Sequence, residues 1–346
     1  MSQMNQSGAR TAERGSRVVL HIGTHKTATT TIQDTFWDNA DLLARHGVVY
    51  PRLGETKGHH GLVRDWSKTA PKYHLREGID ATLARICADY ADKPVTVFLS
   101  SEEFSRGSPA GRTDFAALRA KLSGFDEIEV ICTLRTQWAF LQSVYLQVSK
   151  GRNPPRPPEL LKTAFRTQMV DGLWADYNLL LDALEPVFAP HEITFVDFDT
   201  AVRERGGIVG HYLRHLGAEA ALDEMVALPG GAVNVSVPPL ASWMANVLSE
   251  PKPAPDWLVG LVCEVSEAHF DRKVKGCLFT SDEFEQIATH FAPRNERFLA
   301  RRAEAQPGFV LSPPSAGKLD LFRQAISSQV WIKVARRQVE LLTERG

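Results

Sequence analysis

The chain is short of most features that commit a sequence to a chemistry at first sight. It has four cysteines in 346 residues, Cys87, Cys132, Cys263 and Cys277. None forms a C-x-x-C pair and none has a histidine at zinc-ligand spacing, so reduced thiols are expected, as in a cytosol. Neither sign of charge is in excess: 40 Lys and Arg face 41 Asp and Glu, a net charge of −1. That speaks against nucleic acid or an anionic membrane as partner, and any anion site must be local. No apolar run approaches the roughly 20 residues of a membrane span. Residues 1–16 lack an apolar stretch and read as a disordered tail, not a signal peptide. Internal repeats and low-complexity tracts are missing too. A soluble, cytoplasmic protein is expected, and nothing selects its oligomeric state.

What is present is an ordinary globular composition, 43% hydrophobic and 23% charged, long enough to bury a full core. "RVVLHIG" (17–23) reads as a buried strand and a helix is expected from about Thr27 to Arg45, with Ile32, Phe36, Leu42 and Leu43 on one face. Strands are expected in "GVVYP", "KPVTVFLSSEEF", "DEIEVICTLR" and "EITFVDFD". Helices are expected in "GIDATLARICADYAD", "TDFAALRAKLSG", "QWAFLQSVYLQVSK", "DGLWADYNLLLDALEPVF" and "IVGHYLRHLG". This alternation predicts an α/β fold: a P-loop-like three-layer sandwich with a central parallel sheet flanked by helices. "GRNPPRPPE" (151–159) is too rich in proline for helix or central strand and reads as a loop. The expected divisions are an α/β domain over 17–303, helical from about 238, and a C-terminal helical extension over 304–346.

The segment "VVLHIGTHKTATTTIQ" (18–33) places a lysine and several hydroxyls between that first strand and helix. A loop feeding a helix N-terminus is an anion site, because the unpaired N–H groups of the first turn and the helix dipole face the ligand. Lys26 adds a full charge, and Thr27, Thr29, Thr30 and Thr31 add hydroxyls. A nucleoside-triphosphate loop needs G-x-x-x-x-G-K-[ST], but only two residues separate Gly23 from Lys26, and His25 stands where the second glycine belongs. Nor does an aspartate close the strands "VTVFLSS" or "EVICTLR", where a kinase would hold Mg²⁺. Arg135 ends a strand and Ser143 lies in the helix after it. At the carboxyl edge of a doubly wound sheet both would project beside the Lys26 loop, where a guanidinium and a hydroxyl suit a second phosphate. Together these features predict a nucleoside carrying phosphate at both ends.

"GTHKTATTTIQ" followed by "LRTQWAFLQSVYLQ" resembles the two donor-binding motifs of the sulfotransferase family, in its bacterial form. "GVVYPR", "VFLSSEEFS", "WADYNLLLDALEPVF", "ITFVDFD", "YLRHLG", "AVNVS" and "FAPRNERFLA" are similar to that family in order, over most of residues 17–303. The resemblance implies 3′-phosphoadenosine 5′-phosphosulfate as co-substrate and no required metal. It implies that Thr24, His25, Lys26 and Thr27 to Thr30 surround the 5′-phosphosulfate, and that Arg135 and Ser143 hold the 3′-phosphate. Ala28 departs from the family's usual glycine, and a methyl group there is compatible with a right-handed helical φ. "RKVKG" (Arg272, Lys273, Lys275, Gly276) loosely matches a further 3′-phosphate triplet.

Sulfuryl transfer needs in-line positioning and stabilisation of charge on the leaving oxygen, which Lys26 with the helix N-terminus can supply. The acceptor hydroxyl, or less readily an amine, also needs a base. Glu102 lies just past a strand end, and His59 and His60 in "GHHGL" can take a proton near pH 7. The sequence does not choose among them. Lys150, Arg152 and Arg156 on the proline-rich segment could serve an anionic acceptor. The expected function is sulfuryl transfer to a small molecule, a saccharide or a lipid head group. The alternatives are a small-molecule kinase using ATP and magnesium, and a binding module without turnover.

Overall fold

The computed structural model describes residues 15–107, 111–225, 237–270, 274–317 and 319–344. Strand β1 (Arg17–His21) forms because its side chains alternate into two apolar layers, each covered by helices. It is followed by α1 (Thr29–Asp38), α2 (Ala40–Arg45), β2 (Val48–Val49), α3 (Gly78–Tyr90), β3 (Thr96–Ser100), α4 (Phe115–Lys121), β4 (Glu127–Leu134) and α5 (Gln137–Val148). Next come α6 (Pro157–Thr167), a hairpin of β5 (Met169–Val170) and β6 (Leu173–Trp174), α7 (Tyr177–Leu184), β7 (Ile193–Asp197), α8 (Phe198–Ala201), α9 (Gly207–His215) and α10 (Ala221–Glu224). The rest is α11 (Pro239–Ser249), α12 (Asp256–Phe270), β8 (Gly276–Cys277), α13 (Ser281–Arg302), β9 (Leu321–Phe322) and α14 (Ser328–Glu344).

The central sheet has five parallel strands in the order β2-β3-β1-β4-β7. Val18, Leu20, Val97, Val130 and Phe195 pack with residues of α3, α4 and α7 on one face. Val19, Phe98, Ile131 and Val196 pack with residues of α1, α2 and α9 on the other. The expected three-layer α/β architecture is therefore present. A third cluster joins α5, α6 and α13, and a fourth joins α11, α12 and α14. The segment read as a C-terminal extension supplies β9, which pairs with β8, and α14, which lies on α12. Among the described residues no helix is long and apolar enough to cross a membrane.

The chain leaves β1 toward β3 and β2 on one side and returns to β4 and β7 on the other. The strand order reverses between β1 and β4, and in such sheets the crevice beyond those two carboxyl ends takes ligands.

Three local expectations are corrected. The first helix is two: it begins at Thr29, not Thr27, and breaks at Asn39, whose side-chain amide donates to the Thr35 carbonyl at 2.9 Å. The proline-rich loop ends early, because α6 starts at Pro157 with prolines in its first turn, where a missing N–H costs nothing. Finally, "DGLWADYNLLLDALEPVF" is not one helix: Gly172 has φ 76°, the chain turns there into β6, and α7 starts only after Asp176, whose carboxylate accepts from the Asn178 N–H. Residues 1–14 of the expected tail, "AVNVS" (232–236), Arg272 and Lys273 lie outside the described residues.

Candidate anion-binding and transfer site

The loop between β1 and α1 is held from both neighbouring strands. The Thr24 N–H and hydroxyl both donate to the Thr133 carbonyl at the end of β4, at 3.1 and 2.9 Å. On the β3 side the Ser105 hydroxyl donates to the Gly23 carbonyl at 2.8 Å. Thr27 is fully buried and its hydroxyl donates back to the Thr24 carbonyl at 2.6 Å. The hydroxyls of Thr24 and Thr27 thus build the loop and are not free for a ligand, a difference from the expectation that Thr27 offers its hydroxyl outward.

What the loop does leave free is backbone. The N–H groups of residues 25–28 make no hydrogen bond among the described residues, and those of the first turn of α1 have no partner within a helix. Thr29 is buried, whereas Thr30 and Thr31 are exposed. Successive unpaired N–H groups at the positive end of a helix dipole form a concave anion receptor.

Ala28 corrects another expectation. Its φ is 59°, in the left-handed region, as is that of Lys26 at 72°. The methyl group is therefore held in a conformation that suits glycine. Ala28→Gly is expected to raise the unfolding free energy by about 1 kcal/mol with no loss of anion affinity, read from urea melts and from titration of the two proteins side by side.

The second half of the site hangs on β4 and α5. The Arg135 guanidinium points toward the loop: Nη1 donates to the Lys26 carbonyl at 3.2 Å and to the Ser143 hydroxyl at 2.7 Å. It lies 5.0 Å over the Phe198 ring, and its Nε is buried without a protein partner. Tyr177 fixes its backbone by donating to the Arg135 carbonyl. Lys26 Nζ reaches the same helix, donating to Gln147 Oε1 at 2.6 Å. Ser143, Gln147 and Lys150 follow at i, i+4 and i+7, one above another from α5 into the turn after it. Burial pushes the Lys26 ammonium below the ordinary lysine value, Lys150 and Arg135 push it further, and Glu102 opposes them. Neither Lys26, Lys150 nor Arg135 has a carboxylate in salt-bridge contact among the described residues. An anion bound among these groups would offset their mutual repulsion.

A carboxylate and a histidine flank the loop on the β3 side. Ser101 caps the turn Glu102–Ser105, which carries Glu102 to the carboxyl edge. Glu102 Oε2 accepts from Gln33 Nε2 of α1 at 3.0 Å and lies 3.9 Å from His60 Nδ1. Burial alone would raise the Glu102 carboxyl. The charges of His60 and His25 and the Gln33 amide outweigh it and hold the group below the usual carboxylate range. His60 Nδ1 is 2.9 Å from the Ser101 hydroxyl, and its Nε2 carries no protein hydrogen bond among the described residues. Gly58 makes room for this group: a Cβ there would come within 2.5 Å of His60 Nε2 and 2.6 Å of Gln33 Oε1.

His59 is different. Its Nδ1 accepts from the Ser100 N–H at 2.8 Å, so Nε2 carries the hydrogen and donates to the Pro51 carbonyl at 2.7 Å. Burial pushes its pKa down to about 4. His59 ties β3 to the chain after β2 and has no nitrogen left for an acceptor. His25 is occupied at one nitrogen only: Nε2 lies 3.2 Å from Glu103, whose other oxygen accepts from Arg106 at 2.7 Å, while Nδ1 is buried without a protein partner. The cations of the proline-rich segment are also paired, Arg152 with Asp171 and Arg156 with Glu250 at 2.7 Å. Asn153 bonds the carbonyls of Asn246 and Lys252, so this loop is fastened to the α11–α12 connection. Lys150 lies by Lys26 instead.

The structure thus brings Lys26, Arg135, Ser143, Glu102 and His60 to one edge. The sequence reading missed Gln33, Gln147 and Phe198, and placed Lys150 with the acceptor. Helical spacing from Ser143 was the available signal for Gln147 and Lys150; nothing local marks Phe198.

No protein-family model and no curated protein matches the chain. Two of the solved structures to which it is similar are the following. One, from Alicyclobacillus acidocaldarius, is 15% identical over 84% of this chain and 96% of that one, with a TM-score of 0.45. The other, a domain of the Synechococcus PCC 7002 olefin synthase, is 14% identical over 83% of this chain and 98% of that one, with a TM-score of 0.35. Both are sulfotransferases.

Proposed function

We propose that the chain is a sulfotransferase using 3′-phosphoadenosine 5′-phosphosulfate, with a hydroxyl compound as acceptor. The observation that carries the reading is the cluster of Lys26, Lys150 and Arg135, none in salt-bridge contact with a carboxylate among the described residues, around unpaired loop N–H groups. Its chemistry fits the donor. The loop N–H groups and Lys26 would take the phosphosulfate, and Arg135, with its unpartnered Nε, and Ser143 would take the 3′-phosphate.

In the transfer, the acceptor oxygen forms a bond to sulfur as the bond from sulfur to the bridging oxygen breaks, and the bisphosphate leaves. Lys26 and the N-terminus of α1 stabilise the charge that grows on that bridging oxygen. The acceptor proton goes to His60. In the tautomer whose Nδ1–H donates to Ser101, 2.9 Å away, the lone pair of Nε2 is free to accept it. Glu102 is itself a weak base, because its neighbours stabilise its charged form.

The donor reading is tested by calorimetry of 3′-phosphoadenosine 5′-phosphate against ADP and ATP, with and without EDTA. Preferred binding of the bisphosphate, indifferent to EDTA, is expected; preference for ATP with magnesium would instead favour a kinase. The base assignment has its own test. His60→Asn is expected to lower turnover about a hundredfold or more, whereas Glu102→Gln lowers it about tenfold, both with unchanged bisphosphate affinity. A reversed order would make Glu102 the proton acceptor. Since the Glu102 carboxyl is held below the usual carboxylate range, an acid limb within or above that range belongs to another group.

A further inference from the structure

Beyond the donor, the surroundings of His60 indicate the charge of the acceptor. The Tyr73 ring packs against His60, with centroids 4.6 Å apart, and Lys72 Nζ lies 5.1 Å from the centroid of that same ring. Both belong to a short 3-10 turn, Pro71–Tyr73. The turn lies close against the one that carries His60, because the Tyr73 carbonyl sits where a side chain on Gly61 would be. Lys72 is therefore a cation resting on one aromatic ring that itself touches the group proposed to take the acceptor's proton.

Its neighbours in sequence share its sign. Arg64, Lys68 and Arg76 are exposed like Lys72, and none of these four cations has a carboxylate partner among the described residues; Asp65 is the one acid between Arg64 and Arg76. Other cations flanking the site are paired with carboxylates: Lys57 with Asp38 at 2.8 Å, Arg106 with Glu103 at 2.7 Å, and Arg156 with Glu250 at 2.7 Å. In a chain of net charge −1, this segment adds a local positive field on the acceptor side to that of Lys26, Lys150 and Arg135 at the donor loop. A run of solvated lysines by itself would carry no meaning. The contact through Tyr73 to His60 is what ties this one to the reaction.

We propose that the acceptor is an acidic hydroxyl compound, whose carboxylate, phosphate or sulfate is held by Lys72 beside Tyr73 while its hydroxyl faces His60. The proposal rests on the sulfotransferase reading and is tested so that the two fail separately. A first titration with 3′-phosphoadenosine 5′-phosphate asks whether the donor site exists, and failure there ends the donor reading. With the bisphosphate saturating, matched pairs are then compared by calorimetry: 4-nitrophenyl glucuronide against 4-nitrophenyl glucoside, and 4-hydroxybenzoate against 4-hydroxybenzamide. The acidic member of at least one pair is expected to bind about tenfold more tightly than its neutral partner. Lys72→Ala should reduce that preference to about twofold or less, Lys72→Arg should retain it, and neither should change bisphosphate affinity. Where the pair is turned over, KM moves and kcat does not. Equal binding of both members, no binding of any acidic member, or a preference that survives Lys72→Ala would each overturn the proposal.

Discussion

Lys26→Ala is expected to lower sulfuryl transfer about a thousandfold, since removing one donor aimed at a developing oxyanion typically costs a factor of ~10²–10³. The loss should fall mainly on kcat. Lys150 and Arg135 remain, as do the unpaired N–H groups of the loop, so bisphosphate affinity should drop by only about tenfold. Folding should not suffer: Lys26 Nζ is bound only to Gln147, on the surface of α5. Single-turnover rates with saturating donor would isolate the chemical step. If that rate were unchanged while donor affinity collapsed, Lys26 would be a ground-state anchor and the assigned role in transfer would be lost.

Arg135→Ala is expected to weaken 3′-phosphoadenosine 5′-phosphate about a hundredfold, the scale of two charge-assisted hydrogen bonds. The discriminating ligand is AMP, which lacks the 3′-phosphate. Its affinity should change by no more than about threefold, so the wild-type preference for the bisphosphate disappears in the variant. Ser143→Ala should give a smaller effect of the same kind, because its hydroxyl accepts from Arg135 at 2.7 Å and orients the fork. Parallel losses for both ligands would mean that Arg135 serves only the loop, through the Lys26 carbonyl it meets at 3.2 Å.

How far the sequence could be read depended on how local each feature is. The β1–loop–α1 unit and the pair Arg135 and Ser143 are legible because strand, loop and helix are contiguous and a parallel sheet sends strand ends to one edge. The left-handed φ of Ala28 was not legible, since alanine normally signals a helix interior. Neither was the fate of the two adjacent histidines. His59 and His60 are equal by type and spacing, and only the backbone groups of Pro51 and Ser100 distinguish the one that is fully bonded. Arg152 and Arg156 looked available because their partners, Asp171 and Glu250, are remote in the chain. The prolines at 157 and 158 hid a helix that they in fact begin. Gln33 reaches the site through the packing of α1 on the sheet and Phe198 from the start of α8 beyond the end of β7, which no local pattern encodes.

The way Thr24, Thr27 and Ser105 hold the loop also has a kinetic meaning. A receptor already fastened to strands on both sides has little conformational freedom to surrender when its anion arrives. Association should therefore follow single-exponential kinetics that stay linear in nucleotide concentration, without the plateau of a slow rearrangement, and should slow with added salt as the long-range attraction is screened.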